Sequence, residues 1–408
     1  MSSLNATPGA NRVHIGIFGK RNAGKSSIIN AITGQNLAIV SDIMGTTTDP
    51  VSKAMELLPL GPVLLTDTPG LDDEGELGRL RVEKAYGVLN KTDIALLVVN
   101  GNEELSTVGA SLVETFRQRG IPYLIVHNKM DLENTPLPPQ TGTDIWVSAK
   151  TGAGIWELKE KIAAGIAAPK PPYPIIADLL RPADLVVLVV PVDSAAPKGR
   201  LILPQQQTIR DILDCHATAL VVQDTELEAT LARLGTGVRM VVTDSQAFQK
   251  VAAITPPEIP LTSFSILFAR HKGFLQAAVQ GVQAAGRLQN GNKVLICEGC
   301  THHRQCDDIG TIKMPRWLAE YTAKELDYHF TSGGEFPEEL TPYSLIVHCG
   351  GCTLNERELQ SRLGRATRQG VPFTNYGIMI AQVKGILQRS IQPFPGMDLS
   401  IQAASRLI

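Results

Sequence analysis

The segment that most constrains the fold is GKRNAGKS at 19–26, which fits the pattern G-x-x-x-x-G-K-[ST]. It lies between a predicted strand, VHIGIFG at 13–19, and a predicted helix, SSIINAITG at 26–34. In such a loop, backbone N–H groups surround phosphate oxygens, and the helix N-terminus adds a partial positive charge. Lys25 would reach the β- and γ-phosphates and Ser26 would bind Mg²⁺. The segment therefore predicts a nucleoside triphosphate site.

Three later segments restrict the nucleotide to GTP. DTPG (67–70) ends a strand, so Asp67 can hold Mg²⁺ through water and the Gly70 N–H can meet the γ-phosphate. NKMD (128–131) also ends a strand, and Asp131 can accept hydrogen bonds from the N1–H and 2-amino groups of guanine. Adenine offers no such pair of donors. SAK at 148–150 follows the next strand and supports the base. The residues expected to contact the nucleotide or its Mg²⁺ are Gly19, Asn22, Gly24, Lys25, Ser26, Ser27, Thr47, Asp67, Gly70, Asn128, Lys129, Asp131, Ser148, Ala149 and Lys150.

The two switch segments indicate a subclass of GTPase. MGTTTDP (44–50) resembles the first switch of tRNA-modification and ribosome-assembly GTPases and aligns Thr47 with their Mg²⁺ ligand. Asn22 matches the asparagine that helps to hold K⁺ in potassium-activated relatives, although asparagine is also a common turn residue. Leu71 stands where Ras-like enzymes carry a water-orienting glutamine. The same resemblance assigns that role to Glu76, with Glu74 as the second candidate. The candidate catalytic residues are Lys25, Thr47, Asp67, Gly70 and Glu76, and slow turnover is expected.

The chain is expected to be an α/β protein in three parts. Strands and helices alternate through 1–168, which predicts a P-loop GTPase domain with a mostly parallel sheet covered on both faces. A proline-rich stretch at 169–174 is predicted to be a linker. Two smaller α/β domains are expected at 175–270 and 271–408, and no convincing fixed-period repeat is expected.

Composition excludes several classes of function. The chain has 38 basic and 40 acidic residues, a formal net charge of −2, so no nucleic-acid or membrane surface is expected. Its apolar runs are much shorter than a membrane span requires, and the N-terminus lacks the apolar stretch of a signal peptide. The expected location is the cytoplasm, where clustered cysteines more often bind metal or do redox work than form disulfides.

Five of the six cysteines lie in two short C-terminal segments. Cys300-Thr-His302 is followed, after 45 residues, by His348-Cys349-Gly-Gly-Cys352. A helix is expected at 353–370, with Thr353 as its N-cap, which would favour deprotonation of the neighbouring thiols. The spacing leaves three interpretations open: an iron–sulfur cluster, unclustered or redox-active cysteines, and a structural zinc. The zinc site would use Cys297, Cys300, Cys349 and Cys352.

A GTPase of this subclass followed by Cys-x-His and His-Cys-x-x-Cys resembles the FeFe-hydrogenase maturation GTPases, the scaffold proteins of H-cluster assembly. The resemblance covers essentially the whole chain, as a GTPase domain, a dimerisation domain (175–270) and a cluster domain. It implies a 4Fe–4S cluster held by Cys300, Cys349 and Cys352, with an exchangeable fourth iron position bound by His302, His348, another donor or water.

The same resemblance implies the cargo and the partners. A diiron precursor bearing CO and cyanide would attach at the open iron position and pass to the FeFe-hydrogenase apoprotein. Radical-SAM maturases would supply the cargo, and the scaffold would be a homodimer. His303, Cys297 and Cys306 are expected outside the ligand set. The second hypothesis is an RNA-acting GTPase of the tRNA-modification or ribosome-assembly kind with a structural zinc, which would require a basic face.

Overall fold

The computed structural model describes residues 7–34, 50–71, 84–101, 103–132, 142–164, 172–191, 201–299 and 308–394. The chain divides into two compact units, Met1–Lys170 and Pro171–Ile408. Among the described residues, no helix combines the length and the apolar character needed to cross a bilayer.

The first unit contains a six-stranded sheet in the order β2-β3-β1-β4-β5-β6. Its strands are β1 (Val13–Gly19), β2 (Val51–Leu57), β3 (Gly61–Asp67), β4 (Ile94–Asn100), β5 (Tyr123–Asn128) and β6 (Asp144–Trp146). Only β2 is antiparallel to its neighbour among these strands, so the expected mostly parallel sheet is confirmed.

Helices cover both faces of this sheet. They are α1 (Lys25–Thr33), the helical residues 84–89 (α2), α3 (Thr107–Gln118) and α4 (Ile155–Ala164). One core joins β-strand isoleucines to α1 and α4, and the other joins Phe18 to α2 and α3 through Leu89 and Phe116. Because buried parallel strands are apolar on both faces, they appear in the sequence as continuous apolar runs.

The second unit contains two four-stranded parallel sheets. The first has the order β10-β9-β7-β8 and the second the order β12-β11-β13-β14. Their strands are β7 (Leu185–Val189), β8 (Thr218–Val222), β9 (Val238–Thr243), β10 (Leu261–Ser263), β11 (Lys293–Cys297), β12 (Asp327–Thr331), β13 (Leu345–His348) and β14 (Phe373–Asn375).

Nine helices are described in this unit: α5 (Leu203–Asp214), α6 (Leu227–Leu234), α7 (Phe248–Ile254), α8 (Phe264–His271), α9 (Leu275–Val282), α10 (Met314–Thr322), α11 (Glu356–Arg368), α12 (Tyr376–Val383) and α13 (Leu387–Ile391). One hydrophobic core extends through both sheets, from Ile175 to Phe394. The expected limits of two separate domains within this unit stay a prediction.

The two halves of the second unit share one topology, a repeat of variable spacing that was not predicted from the sequence. Numbered by order along the chain, each half arranges its strands as 2-1-3-4. Residues 262–279 and 374–391 align without a gap and are identical at Thr262/Thr374, Ile266/Ile378, Ala269/Ala381, Lys272/Lys384, Gly273/Gly385, Leu275/Leu387 and Gln276/Gln388. The similarity escapes a period search because the spacing of equivalent strands varies between the halves.

The repeated segments also use the same local devices. Ser263 caps α8 by accepting a hydrogen bond from the Ile266 N–H, and Asn375 caps α12 by accepting one from the Ile378 N–H. The helix that follows each of these then packs across to the other half: α9 against β14 and α13 against β10. This reciprocal packing joins the halves into one unit.

Candidate functional site

The phosphate-binding loop of the first unit requires glycine at two positions. Gly19 has φ +147°, and a Cβ placed there would lie 2.3 Å from the Val98 carbonyl oxygen. Gly24 has φ +91°, and its Cβ would lie 2.2 Å from Asn128 Nδ2. Any larger side chain would displace either the loop or the neighbouring strand end, so the backbone of the loop lies directly against β4 and β5.

The side chains expected to bind phosphate and Mg²⁺ lie together at the carboxyl ends of β1 and β3. Lys25 is buried, and its Nζ donates hydrogen bonds to the carbonyl oxygens of Gly19 (3.1 Å) and Lys20 (2.8 Å). The Ser26 hydroxyl donates to Asp67 Oδ2 at 2.5 Å. Burial raises the pKa of the Asp67 carboxyl, while the bond from Ser26 and the charge of Lys25 oppose that rise.

The base-recognition residues form a second connected group. Asn128 Nδ2 donates to the Ala23 carbonyl oxygen at 3.1 Å, and Asn128 Oδ1 accepts from the Ala149 N–H at 3.0 Å. The Ser148 hydroxyl donates to Asp131 Oδ1 at 2.6 Å, and this bond is the main cause of a lowered pKa for Asp131. Asp131 is thus held ionised, as an acceptor for guanine N–H groups requires.

Some of the remaining residues predicted to contact the nucleotide are described by the structure, and others lie outside the described residues. Asn22 (φ +59°) lies exposed in the phosphate-binding loop, Lys129 (φ +66°) follows β5, and Gly70 lies three residues beyond β3. Ser27 lies in the first turn of α1, and Lys150 Nζ lies 3.9 Å from Asp131 Oδ2. Three switch residues, Thr47, Glu74 and Glu76, lie outside the described residues.

One contributor to this site was not predicted from the sequence. Thr68 is buried, and its hydroxyl donates to the Ile17 carbonyl oxygen at 2.7 Å, which ties the DTPG segment to β1. Its position inside that segment is the signal that could have identified it.

The second candidate site lies at the carboxyl ends of β11 and β13, which are parallel neighbours. Cys297 pairs in register with His348, and the Cys349 N–H donates to the Cys297 carbonyl oxygen at 2.8 Å. The segments that follow the two strands therefore meet at one sheet edge. Those segments contain Gly299, directly before Cys300, and the loop Cys349–Cys352.

The thiol of Cys349 is held by two backbone donors. The Gly299 N–H lies 3.0 Å from Cys349 Sγ, and the Gly351 N–H lies 3.3 Å from it. Gly351 has φ +60°, and a Cβ there would lie 2.7 Å from Leu359 Cδ1, so the turn depends on glycine. Such N–H donors to sulfur are typical of thiolates that bind iron–sulfur clusters.

Two expectations about this loop were wrong. Helix α11 begins at Glu356 and is capped by Asn355, whose side chain accepts from the Glu358 N–H at 3.0 Å. Thr353 instead donates to the Gly299 carbonyl oxygen at 3.0 Å and joins the two loops. Burial raises the pKa of the Cys349 thiol, and the expected effect of the helix N-terminus on its deprotonation stays a prediction.

His348 is fully buried, and both of its ring nitrogens are engaged. Arg362 Nη1 lies 3.0 Å from Nε2, and because a guanidinium can only donate, Nε2 accepts. Nδ1 therefore carries the proton and donates to the Cys349 carbonyl oxygen at 2.8 Å. Burial, with Arg362 as the second cause, lowers the pKa of His348 to about 3. This arrangement speaks against the expected role of His348 as a metal ligand and in favour of a positioning role.

The donor set described at this edge fits a soft metal centre. Cys349 and Cys352 supply two thiol groups three positions apart, with glycine backbone around them. Cys297 is fully buried at the end of β11, and burial raises its pKa to about 12. The described part of the chain contains no group of three metal-ligating side chains. Cys300, His302, His303 and Cys306 lie outside the described residues.

Three residues near the loop were not predicted from the sequence. Lys272 is buried, and its Nζ donates to the carbonyl oxygens of Gly351 (2.5 Å) and Leu354 (2.9 Å). Burial lowers the pKa of Lys272 to about 8. Arg362 and the half-buried Glu358 form an ion pair at 2.7 Å beside His348. The repeated Lys-Gly pair at 272–273 and 384–385 is the signal that could have identified Lys272.

Curated relatives match the first unit. The tRNA modification GTPase MnmE of Synechococcus sp. is 37% identical over 154 residues, which is 37% of this chain and 33% of that protein. MnmE of Dichelobacter nodosus is 38% identical over 158 residues, or 37% of this chain and 34% of that protein. The chain thus spans about a third of the length of these relatives.

Some solved structures resemble part of this chain. A crystal structure of Aquifex aeolicus Era bound to GDP and AlF4⁻ is 20% identical with a TM-score of 0.35, and covers 55% of this chain and 98% of that one. The G domain of the T. maritima FeoB iron transporter is 21% identical with a TM-score of 0.27, and the match covers 37% of this chain and 97% of that one.

Family models match three consecutive segments. Residues 14–129 match a model described as a 50S ribosome-binding GTPase, which agrees with the site geometry of the first unit. Residues 175–273 match the hydrogen maturase F dimerization domain, and residues 276–393 match the hydrogen maturase F tetramerization domain. Because the two models follow one another through the two halves of the second unit, the chain belongs to the hydrogen maturase F family.

Proposed function

We propose that this protein is a GTP-hydrolysing scaffold that binds a 4Fe–4S cluster and carries the diiron precursor of the H-cluster to the apoprotein of an FeFe-hydrogenase. The observation that carries the proposal is the thiol of Cys349, which accepts two backbone N–H bonds beside Gly299, the residue before Cys300. Membership of the hydrogen maturase F family supports the reaction context.

In the GTPase unit, Lys25 would exchange its carbonyl partners for the β- and γ-phosphates. Ser26 and Asp67, already 2.5 Å apart, would hold Mg²⁺ directly and through water, together with Thr47. Asp131 would accept from guanine. Since Leu71 cannot orient water, that task would fall to Glu76. Turnover would be slow unless K⁺, held at Asn22, adds positive charge against the phosphates.

In the second unit, Cys349, Cys352 and Cys300 would hold the cluster. The cluster would supply one iron that is open to exchange and can accept the cargo. The open position of that iron would be bound by His302, another donor or water. His348 would instead orient the loop through its bond to the Cys349 carbonyl oxygen. Proposed domain limits are 1–168, 175–270 and 271–408, with the linker at 169–174.

The test of the scaffold is anaerobic reconstitution with iron and sulfide. Wild type should bind about four irons per chain and give a reducible cluster signal in electron paramagnetic resonance. Cys300→Ala, Cys349→Ala and Cys352→Ala should each lose that signal, while Cys215→Ala, a partly buried residue at the end of α5, should keep it. A protein that holds one zinc and takes up no iron would sink the proposal and favour the RNA-acting GTPase.

The GTPase part has its own test. GTP turnover should be slow in Na⁺ and faster in K⁺, and Asn22→Ala should remove the difference between the two cations. Equal rates in both salts would contradict potassium activation without affecting the cluster proposal.

We also propose that the switch segments couple GTP hydrolysis to partner exchange. Hydrolysis would change the contacts offered around Thr47 and 70–78, and so shift affinity for the radical-SAM maturases that supply the cargo. Equal affinity of those partners for the GDP form and for a form with a non-hydrolysable GTP analogue would sink this idea.

The proposed location is the cytoplasm.

The proposed assembly is at least a homodimer. Strand β8 is the last in its sheet, and although four of its five residues are apolar, none of the five is fully buried. A second copy is the proposed occupant of this edge, because β8 lies within the segment that matches the dimerization domain. Pairing of two such edges would remove the exposed backbone groups of an open sheet.

A further inference from the structure

The inference concerns Lys272, which lies outside both cysteine segments. It follows α8, so it belongs to the first half of the second unit, while the loop that it contacts belongs to the second half. Its Nζ donates to the carbonyl oxygens of Gly351 and Leu354, on either side of Cys352. Its backbone carbonyl oxygen accepts from Gln360 Nε2 of α11 at 2.6 Å, so the residue is attached to that half at both ends.

The burial of this ammonium calls for a compensating negative charge. Lys272 is 7% exposed, and its two carbonyl partners are neutral. A buried cation without a nearby anion is costly, because it loses its hydration and gains no opposite charge. The groups around it that can carry negative charge are Cys352 and Cys349, when they are thiolates, followed by Glu356 and Glu358. Glu358 is itself paired with Arg362.

The equivalent lysine in the other half has a different environment. Lys384 follows α12 as Lys272 follows α8, and both are followed by a glycine with positive φ. Lys384 is only partly buried, and its Nζ lies 5.7 Å from the centre of the Trp317 ring. The fold therefore accepts a lysine here without burying its charge, so the burial is particular to Lys272, the lysine that contacts the cysteine loop.

We propose that Lys272 is a positioning residue that fixes the Cys349–Cys352 loop and places a buried positive charge against a thiolate-bound iron–sulfur cluster. Thiolate-ligated clusters carry net negative charge, so the lysine and the loaded site compensate each other. Because a nearby cation stabilises the reduced cluster more than the oxidised one, Lys272 would raise the reduction potential. This inference rests on the proposed function.

The test compares Lys272→Met, which keeps the length of the side chain but not its charge, with Lys384→Met at the equivalent position. Each variant of the full chain is reconstituted with iron and sulfide, and the midpoint potential of its cluster is measured by a redox titration followed by electron paramagnetic resonance. Unfolding of the apoprotein in urea is recorded in parallel. Lys272→Met should shift the potential to more negative values, while Lys384→Met should leave it at the wild-type value.

The other outcomes are also decisive. A potential that is unchanged in Lys272→Met, with or without lower stability, overturns the proposal, since a purely structural role would leave it unchanged. If Lys272→Met does not fold, Lys272→Gln keeps an N–H donor without the charge and is judged by the same shift. If neither uncharged variant folds, the lysine serves the fold rather than the loaded site, and the proposal is overturned. Failure of wild type to take up iron is a failure of the proposed function and is detected before any variant is compared.

Discussion

At the scale of single residues, the guanine site depends on a carboxylate that is prepared for its ligand. The Ser148 hydroxyl lies 2.6 Å from Asp131 Oδ1, and this bond keeps the pKa of Asp131 low. Because the bond orients the carboxylate, Asp131 loses less conformational freedom when the base binds. Its second oxygen is available for the N–H groups of the base. The arrangement links specificity to one acceptor and one supporting hydroxyl.

We expect Asp131→Asn to reverse the base preference. An amide at this position can donate to the 2-oxo group of xanthine but can no longer accept both guanine donors. Loss of hydrogen bonds to a charged group costs about 1.5–3 kcal/mol, which corresponds to roughly 10- to 150-fold weaker GTP binding. Calorimetric titration with GTP and XTP measures both effects, and unchanged GTP affinity would remove Asp131 from the site.

Arg362 is the residue on which the orientation of His348 depends. Arg362→Met leaves Nε2 of a fully buried imidazole without this donor, and it also removes the bonds to Gly333 and Glu358. Unsatisfied buried groups cost about 1–3 kcal/mol each, so we expect faster hydrogen–deuterium exchange across β13. Arg368→Met, exposed on the same helix, is the control and should exchange like wild type. Equal protection of β13 in the two variants would contradict the positioning role of Arg362.

At the scale of elements, the two polar residues just before α11, Thr353 and Asn355, have different roles. We expect Asn355→Ala to reduce the free energy of unfolding by about 1 kcal/mol, because the Glu358 N–H loses its cap. Thr353→Ala should leave the protection of the first turn of α11 unchanged, since Thr353 bonds to Gly299 instead. Urea unfolding and amide exchange distinguish the two, and Asn355→Asp should behave nearly as wild type.

The elements that could be predicted from the sequence share a physical property. Strands β1, β4 and β7 are continuous apolar runs, because both faces of a parallel strand are buried. Strand β2 was not predicted, since it lies at the sheet edge with most of its residues exposed. Strands β10 and β14 have three residues each, too few for a period. Helix α12 is buried on nearly all sides and therefore shows no amphipathic stripe.

The two candidate sites differ in how much of them could be predicted. The residues predicted to contact the nucleotide lie in short segments whose internal spacing carries the chemistry, so the sequence directly predicts Lys25, Ser26 and Asp131. The surroundings of Cys349 are supplied by Gly299, Lys272 and Arg362, which lie 50, 77 and 13 residues away in the chain. The pairing of β11 with β13 brings Gly299 to the loop, and Lys272 is held there by its bonds to the loop and to Gln360 of α11. The sequence therefore indicated the thiols but not the charges around them.

At the scale of the whole molecule, the proposed assembly depends on an edge strand. We expect Val221→Lys to weaken the proposed homodimer, because a charged side chain at the exposed position of β8 would have to be desolvated on pairing. Trp156→Lys, which replaces an exposed aromatic side chain of α4, should leave the assembly unchanged. Sedimentation at several concentrations measures both, and an unchanged dimer in Val221→Lys would exclude this edge.

The paired halves of the second unit give the protein an internal reference for its own mutations. Two stretches of chain, 262–279 and 374–391, have similar sequences and equivalent places in the two halves. A residue found in one stretch is therefore expected to be compatible with the backbone of the other. Reciprocal transplants such as Arg270→Gln and Gln382→Arg separate what the architecture demands from what one location has acquired for its own task. The comparison is made between two halves of one polypeptide, so it does not require a second, related protein.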